Sequence, residues 1–202
     1  MDFILEIKNN LSPEMCNKII EKFEKDEGKQ PAVVWENIID PSTKNEVKIS
    51  TDLHINPSQN SDWCNVDQYL YERLSEGLIK YRDHIKKHLD KKAINIFHAT
   101  GGVFKIMNEN GYQIQRTRKN GFYVWHNDSL QEHQRTLTFL WYLNTLDPDF
   151  DGGTTDFECG RRIVPEQGKL IIFPATWTYI HRGAPVISDN TKYVCTGWIL
   201  EK

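Results

Sequence analysis

FYVWHND, residues 122–128, sets Phe122, Tyr123, Val124 and Trp125 directly before a His-x-Asp triplet. Aromatic and β-branched residues favour a strand, and in a strand positions i and i+2 face the same side. His126 and Asp128 therefore share a face and can chelate one ion. A second triplet, His88-Leu89-Asp90, closes a helical pattern. At about 100° per residue its two side chains point some 200° apart, so it reads as a solvated helix end. A histidine and a carboxylate need one more nitrogen donor to make the facial triad that holds non-haem iron(II) with coordination positions open. The other histidines are His54, His84, His98, His133 and His181. His181 is favoured, because TWTYIH (176–181) reads as a strand following the buried apolar strand KLIIFP (169–174). His84 and His88 share a helical face, but HIKKH lacks the glutamate of H-E-x-x-H and reads as a solvated helix of mixed charge.

Outward from this stretch, the apolar periodicity changes near residue 92. Beyond it come short β-rich runs near 112–117, 122–128, 135–143, 153–157, 162–164, 169–173, 177–182 and 192–200. About eight short strands predict a closed or sandwiched antiparallel sheet. Before residue 92, Ser12-Pro13 signals a helix start, Met15, Ile19, Ile20 and Phe23 make one apolar stripe, and Gly28 marks its end. A longer helix is predicted from Ser61-Asp62, where Val66, Leu70, Leu74, Leu78, Tyr81, Ile85 and Leu89 recur at helical steps and Gly77 is a weak point. In the last run, TKYVCTGWIL (191–200), Lys192, Val194, Thr196 and Trp198 share one face; Tyr193, Cys195, Gly197 and Ile199 share the other. Lys192 either starts an exposed strand or pairs with an anion inside, and Trp198 on the same face favours the interior.

The 202 residues suffice for one core, and 39 % apolar with 26 % charged residues excludes a disordered chain. No run approaches the roughly 18–20 apolar residues of a membrane helix. In MDFILEIKNN, Asp2, Glu6 and Lys8 break any secretory signal, so a cytoplasmic protein is expected. A net charge of −3 gives no pull toward nucleic acid or an anionic membrane. Cys16, Cys64, Cys159 and Cys195 form no C-x-x-C pair and read as reduced thiols.

His126-x-Asp128, His181, Lys192 and Trp198, with WYLN (141–144), GGTTDF (152–157) and VPEQGKLIIFPATWTYIHRGAPV (164–186), resemble the iron(II)- and 2-oxoglutarate-dependent dioxygenases, most closely the prolyl 4-hydroxylases. The resemblance covers roughly residues 110–200. It implies an α+β fold, mainly β: a double-stranded β-helix, or jelly roll, with supporting N-terminal helices. A single domain over 1–202 is expected, with a helical and strand support region at 1–91 and the jelly-roll catalytic core at 92–202. By the same resemblance, His126, Asp128 and His181 are the iron ligands, and Lys192 pairs with the distal carboxylate of 2-oxoglutarate. Tyr142, Thr196 and Trp198 shape the cosubstrate pocket; Tyr142 groups by parity with Thr138 and Leu140. Dioxygen is the second cosubstrate, with ascorbate (vitamin C) as a reductant, and the expected reaction hydroxylates an unactivated C–H bond of a peptidyl proline. One departure concerns the strand before His126. Where relatives often present a tyrosine to the cosubstrate, this chain offers Arg116 or Thr117.

Two alternatives stand beside this reading. One is a hydroxylase of a free amino acid or other small molecule, whose carboxylate Arg116 or Arg118 would hold bidentately. The other is a cupin-like barrel that binds a metal or ligand without turnover. The stretches 29–60 and 98–111 are candidates for a substrate lid. DPDFDGGTTDFE (147–158) satisfies the calcium-loop pattern, but its flanks read as strands, and an acidic hairpin connection is expected instead.

Overall fold

In the computed structural model of the chain, which describes residues 2–32, 47–99, 107–109, 111–129 and 135–201, the Met15 amide donates to the Ser12 hydroxyl at 3.2 Å and Pro13 opens helix α1 (Pro13–Lys25). This is the predicted start, and the stripe buries Cys16, Ile19 and Phe23. A 3₁₀ turn at Ser61–Trp63 leads into α2 (Cys64–Lys86), which buries Val66, Leu70, Leu74, Tyr81 and Ile85. Among the described residues no helix is long and apolar enough to cross a membrane.

Gly77 is a close-packing point rather than a weak one. A Cβ there would sit 2.5 Å from Leu170 Cδ2 and 3.4 Å from Ile172 Cδ1, so the glycine lets α2 lie directly against the sheet. Gly77→Val adds a branched side chain to this contact, and its overpacking outweighs the gain in helix propensity. A loss of about 1–3 kcal/mol is expected, measured as a lower denaturant midpoint at unchanged m-value.

A third helix, α3 (Lys91–Ala99), lies where β-rich sequence was expected to begin. The Asp90 carboxylate accepts the Ala93 amide at 2.7 Å and caps it, so the change of architecture falls after this helix. The strands are β1 (Leu5–Ile7), β2 (Gln30–Pro31), β3 (Thr51–Ile55), β4 (Met107–Glu109), β5 (Tyr112–Thr117), β6 (Tyr123–His126), β7 (Arg135–Tyr142), β8 (Thr155–Phe157), β9 (Arg162–Ile163), β10 (Leu170–Pro174), β11 (His181–Gly183) and β12 (Lys192–Glu201). They form two antiparallel sheets. The major sheet runs β1-β10-β7-β12-β5-β3-β2, with β4 also on β12; the minor one runs β6-β11-β8-β9. This is the jelly-roll core with its helices to one side. The first 91 residues thus give three strands to the major sheet as well as two helices.

Strand parity sorts the core into two layers. Leu137, Phe139, Trp141, Leu170, Ile172, Cys195 and Ile199 pack on the helix side with Phe23, Leu70 and Leu74. Tyr142, Ile171, Phe173 and Val194 face the other way, toward Phe157 and Ile163 of the minor sheet. One prediction needs correction: TWTYIH is not a continuous strand. Residues Trp177–Tyr179 make a 3₁₀ turn, and only from His181 does the chain enter the minor sheet, beside β6 and β8.

Candidate active site

β6 and β11 pair so that His126 and His181 are direct partners across the ladder. Residues directly opposite in an antiparallel pair share a face, so both rings point between the sheets. Asp128 follows β6, and its amide donates to the Ala175 carbonyl at 3.1 Å. The His126 Nε2 lies 3.6 Å from Asp128 Oδ1, and the His181 Nε2 lies 3.5 Å from Asp128 Oδ2. The three ligand atoms fall within 4.8 Å of one another, and all three residues are buried. Among the described residues this is the one cluster of metal-ligating side chains.

The surrounding hydrogen bonds aim the ligands. His126 Nδ1 contacts the Val124 carbonyl at 2.8 Å and His181 Nδ1 contacts the Tyr179 carbonyl at 3.0 Å. Both Nδ1–H groups donate outward, which leaves both Nε2 lone pairs facing the common centre. Burial and the neighbouring His181 push His126 down to about 4, with Asp128 opposing. The ring is neutral at physiological pH, as ligation requires. Burial pushes the Asp128 carboxyl up, but His181, His126 and the Thr138 hydroxyl together hold it below the usual carboxylate range. Thr138 donates to Asp128 Oδ2 at 2.7 Å, so Oδ1 keeps its lone pairs. Two neutral imidazoles and one ionised carboxylate suit iron(II). Thr138→Val keeps the shape and removes this hydrogen bond. Iron(II) affinity is expected to fall by about 10-fold, read by titration of the folded variant.

A cavity of about 680 Å³ opens onto the triad and is bounded by both sheets. Lys192, Val194, Thr196 and Trp198 line it together, and Cys195 and Ile199 pack behind them. Lys192 is 7 % exposed and, among the described residues, has no carboxylate within ion-pair distance. Burial pulls its ammonium down to about 8, opposed by the more distant Asp156. Gly153, at φ +68°, turns the loop beside this side chain, where a Cβ would come within 2.8 Å of Leu146 Cδ1. A buried cation facing a cavity without a counter-ion is a receptor for an anion.

Tyr142 is fully buried, and the Lys192 ammonium stands over its ring, 5.6 Å from the centroid. Its hydroxyl donates to Thr155 Oγ1 at 2.7 Å, and Thr155 lines the cavity. Tyr142 thus stands beside the lysine, and the Thr155 hydroxyl it donates to keeps its own proton to donate inward. The expectation for Arg116 is corrected. On β5, Thr117 stands opposite Lys192 and faces the cavity, so Arg116 faces the helices, where its guanidinium pairs with Glu24 at 2.7 Å. Arg118 is exposed and also lies off the cavity wall. The His88-Leu89-Asp90 triplet does not converge on an ion, and His84 Nε2 contacts the Asp2 carbonyl instead. In the acidic stretch, Asp151 accepts the Asp147 amide and the Asn190 side chain, while Asp156 pairs with Arg162 and Arg182. These two carboxylates are occupied by Asn190 and by arginines of the neighbouring strands. Parts of the two proposed lid stretches (33–46, 100–106 and 110) lie outside the described residues, as do His133 and the His98 side chain.

Several cavity residues had no sequence signal. Tyr123 stacks on His126 with ring centroids 3.6 Å apart, although strand parity would separate them. The register shift between His181 and Gly183 opposite β6 lets positions i and i+3 share the face. Arg135 stacks on Trp198 at 3.6 Å and donates to the Asp128 carbonyl at 3.3 Å. Lys48 and Asp52 form a buried ion pair of 2.8 Å in the cavity wall.

Residues 112–200 match the model of the 2OG-Fe(II) oxygenase superfamily. No curated protein matches the sequence. Among solved structures, the chain is similar to the viral collagen prolyl hydroxylase of Paramecium Bursaria Chlorella virus-1 in its 2OG complex (18 % identity, TM-score 0.66, 100 % of this chain and 97 % of that one). It is also similar to a Trichoplax adhaerens prolyl hydroxylase bound to a hypoxia inducible factor peptide fragment (15 %, 0.74, 99 % and 84 %). A Pseudomonas putida prolyl-4-hydroxylase follows at 18 %, 0.69, 98 % and 92 %.

Proposed function

We propose that this chain, a member of the 2OG-Fe(II) oxygenase superfamily through residues 112–200, hydroxylates a prolyl residue within a peptide. His126, Asp128 and His181 would hold iron(II), leaving the rest of its coordination shell for cosubstrates. The bound metal supplies dioxygen activation, coupling oxidative decarboxylation of 2-oxoglutarate to succinate and carbon dioxide with insertion of one oxygen atom into a C–H bond. The protein's own part is binding, orientation and exclusion of water. Lys192 would pair with the distal carboxylate, and Thr155, aligned by Tyr142, would donate a hydrogen bond to the same group. Thr196 lines the same cavity, with its own proton donated to the Phe139 carbonyl at 2.7 Å.

The observation that carries the reading is the pairing of the triad with the uncompensated ammonium of Lys192 in one cavity. That cavity has the size of a site for a drug-sized ligand, which leaves room beside a five-carbon dicarboxylate. The free-amino-acid alternative loses the two arginines it relied on, since Arg116 and Arg118 lie elsewhere. The peptide held by the Trichoplax relative supports a peptide substrate. The test is stimulation of 2-oxoglutarate decarboxylation. A proline-containing peptide is expected to raise the rate several-fold over the uncoupled reaction. A rate raised by free proline or another amino acid, and by no peptide, rejects this substrate class.

A further inference from the structure

Away from the triad the cavity extends sideways across the major sheet, onto β5 and β3, where amide and imidazole side chains line it beside the closed Lys48–Asp52 ion pair. We propose that this wing is a remote subsite that hydrogen-bonds an uncharged, extended stretch of the substrate chain; the proposal rests on the peptide reading above.

The sheet register places the wing. Gln113 stands opposite Thr196 on β12 and opposite His54 on β3, and Gln115 stands opposite Val194. Opposed residues share a face, so Gln113, Gln115 and His54 all line the cavity. They form one chain: Gln115 Nε2 donates to Gln113 Oε1 at 2.6 Å, and Gln113 Nε2 contacts His54 Nε2 at 2.9 Å. With His54 neutral, its Nε2 accepts from Gln113 and its Nδ1 keeps a hydrogen to donate. Burial lowers the His54 pKa, which favours that state. Each glutamine keeps a second amide hydrogen, and Gln115 keeps its carbonyl oxygen. The wing thus offers donors and acceptors together, which is what a peptide backbone offers in return.

Its charges are already matched. Lys48 and Asp52 are paired, and Asp52 Oδ1 also accepts from Ser50 at 2.7 Å. At the far end Asp26 accepts from Trp63 Nε1 and from the Gly28 amide, each at 2.8 Å. An acidic substrate side chain lodged here would lose water without gaining a partner. From β7, whose Thr138 holds Asp128, to β3 is three strand spacings. At about 4.8 Å each this is about 14 Å, which an extended chain covers in about four residues. A free amino acid cannot span it.

The experiment uses peptides of alanine and serine around one proline, extended stepwise on either side, with wild type and the Gln113→Ala/Gln115→Ala double variant. In wild type, KM should fall about 10-fold once one side reaches four residues, the effect of one or two net hydrogen bonds. The double variant should lose that gain, while kcat and the KM for 2-oxoglutarate stay unchanged, a split that general loosening of the fold would not produce. A KM independent of length in wild type, or a gain retained in the variant, overturns the subsite and leaves the peptide reading intact. No stimulation by a peptide of any length overturns both. If the double variant does not fold, a glutamate placed four residues from the proline probes the wing from the substrate side. A KM raised about 10-fold supports the subsite, and an unchanged KM overturns it.

Discussion

His126→Ala is expected to abolish 2-oxoglutarate-dependent succinate formation, with a fall of at least about 10³-fold, and to remove stoichiometric iron(II) binding while the protein stays folded. The size of the effect follows from the triad's economy. Three buried side chains would hold the ion, and losing one would leave a bidentate site in which Asp128 and His181 could not fix the coordination geometry. The fold should survive because the ring's packing partners, Tyr123 and His181, lie at the cavity wall rather than in the core beneath the helices. The decisive measurement pairs anaerobic iron(II) titration with an assay of succinate. Wild-type iron stoichiometry in the variant would remove His126 from the ligand set. The empty site also has a pH signature. His126 is depressed to about 4 when folded, against an ordinary value near 6.5, so the unfolded chain binds more protons between those values. Its contribution to the metal-free protein's stability is therefore present above about pH 6.5 and is lost as pH falls toward 4.

Much of this centre was legible because a strand has a fixed period of two. His126 and Asp128 in FYVWHND, and Lys192 to Trp198 in the last strand, needed only that period for their faces to be assigned. The same rule decides between Arg116 and Thr117 once β5 is set against β12, because Lys192 faces Thr117. Without that register the choice stayed open, and register is a long-range property that no local pattern carries. TWTYIH misled for a related reason. Threonine and aromatics favour a strand locally, yet Trp177–Tyr179 turns in a 3₁₀ step, and Tyr179 uses its carbonyl to orient His181. Tyr142 shows the reach of parity as well as its limit. Parity gives it the correct face, but the partner of its hydroxyl, Thr155, arrives from the minor sheet, which no local pattern carries. Stacking of Tyr123 on His126 depends on a bulge, which shifts the period by one and leaves no trace in composition.

Lys192→Ala should raise the KM for 2-oxoglutarate by about 10- to 100-fold, the scale of a charge-assisted pair in a dry site, and leave iron(II) affinity within a factor of a few. The two effects separate because Lys192 stands on the major sheet, while all three metal ligands come from β6, the residues after it, and β11. The substitution also removes a buried cation without an ion-pair partner, which relieves a desolvation cost, so the variant should be no less stable than wild type in the absence of cosubstrate. Stability and cosubstrate affinity moving in opposite directions would identify the lysine as an anion receptor; joint loss would mark it as a structural group. The ammonium's pKa gives a second handle. Burial sets it at about 8, against an ordinary value near 10.4, so raising the pH above about 8 discharges the free site while 2-oxoglutarate keeps both its charges. Wild-type affinity for 2-oxoglutarate should therefore decline above that pH, and Lys192→Ala should show a flat profile across the same range. A wild-type profile equally flat between pH 7 and 10 would place the distal carboxylate on some other partner.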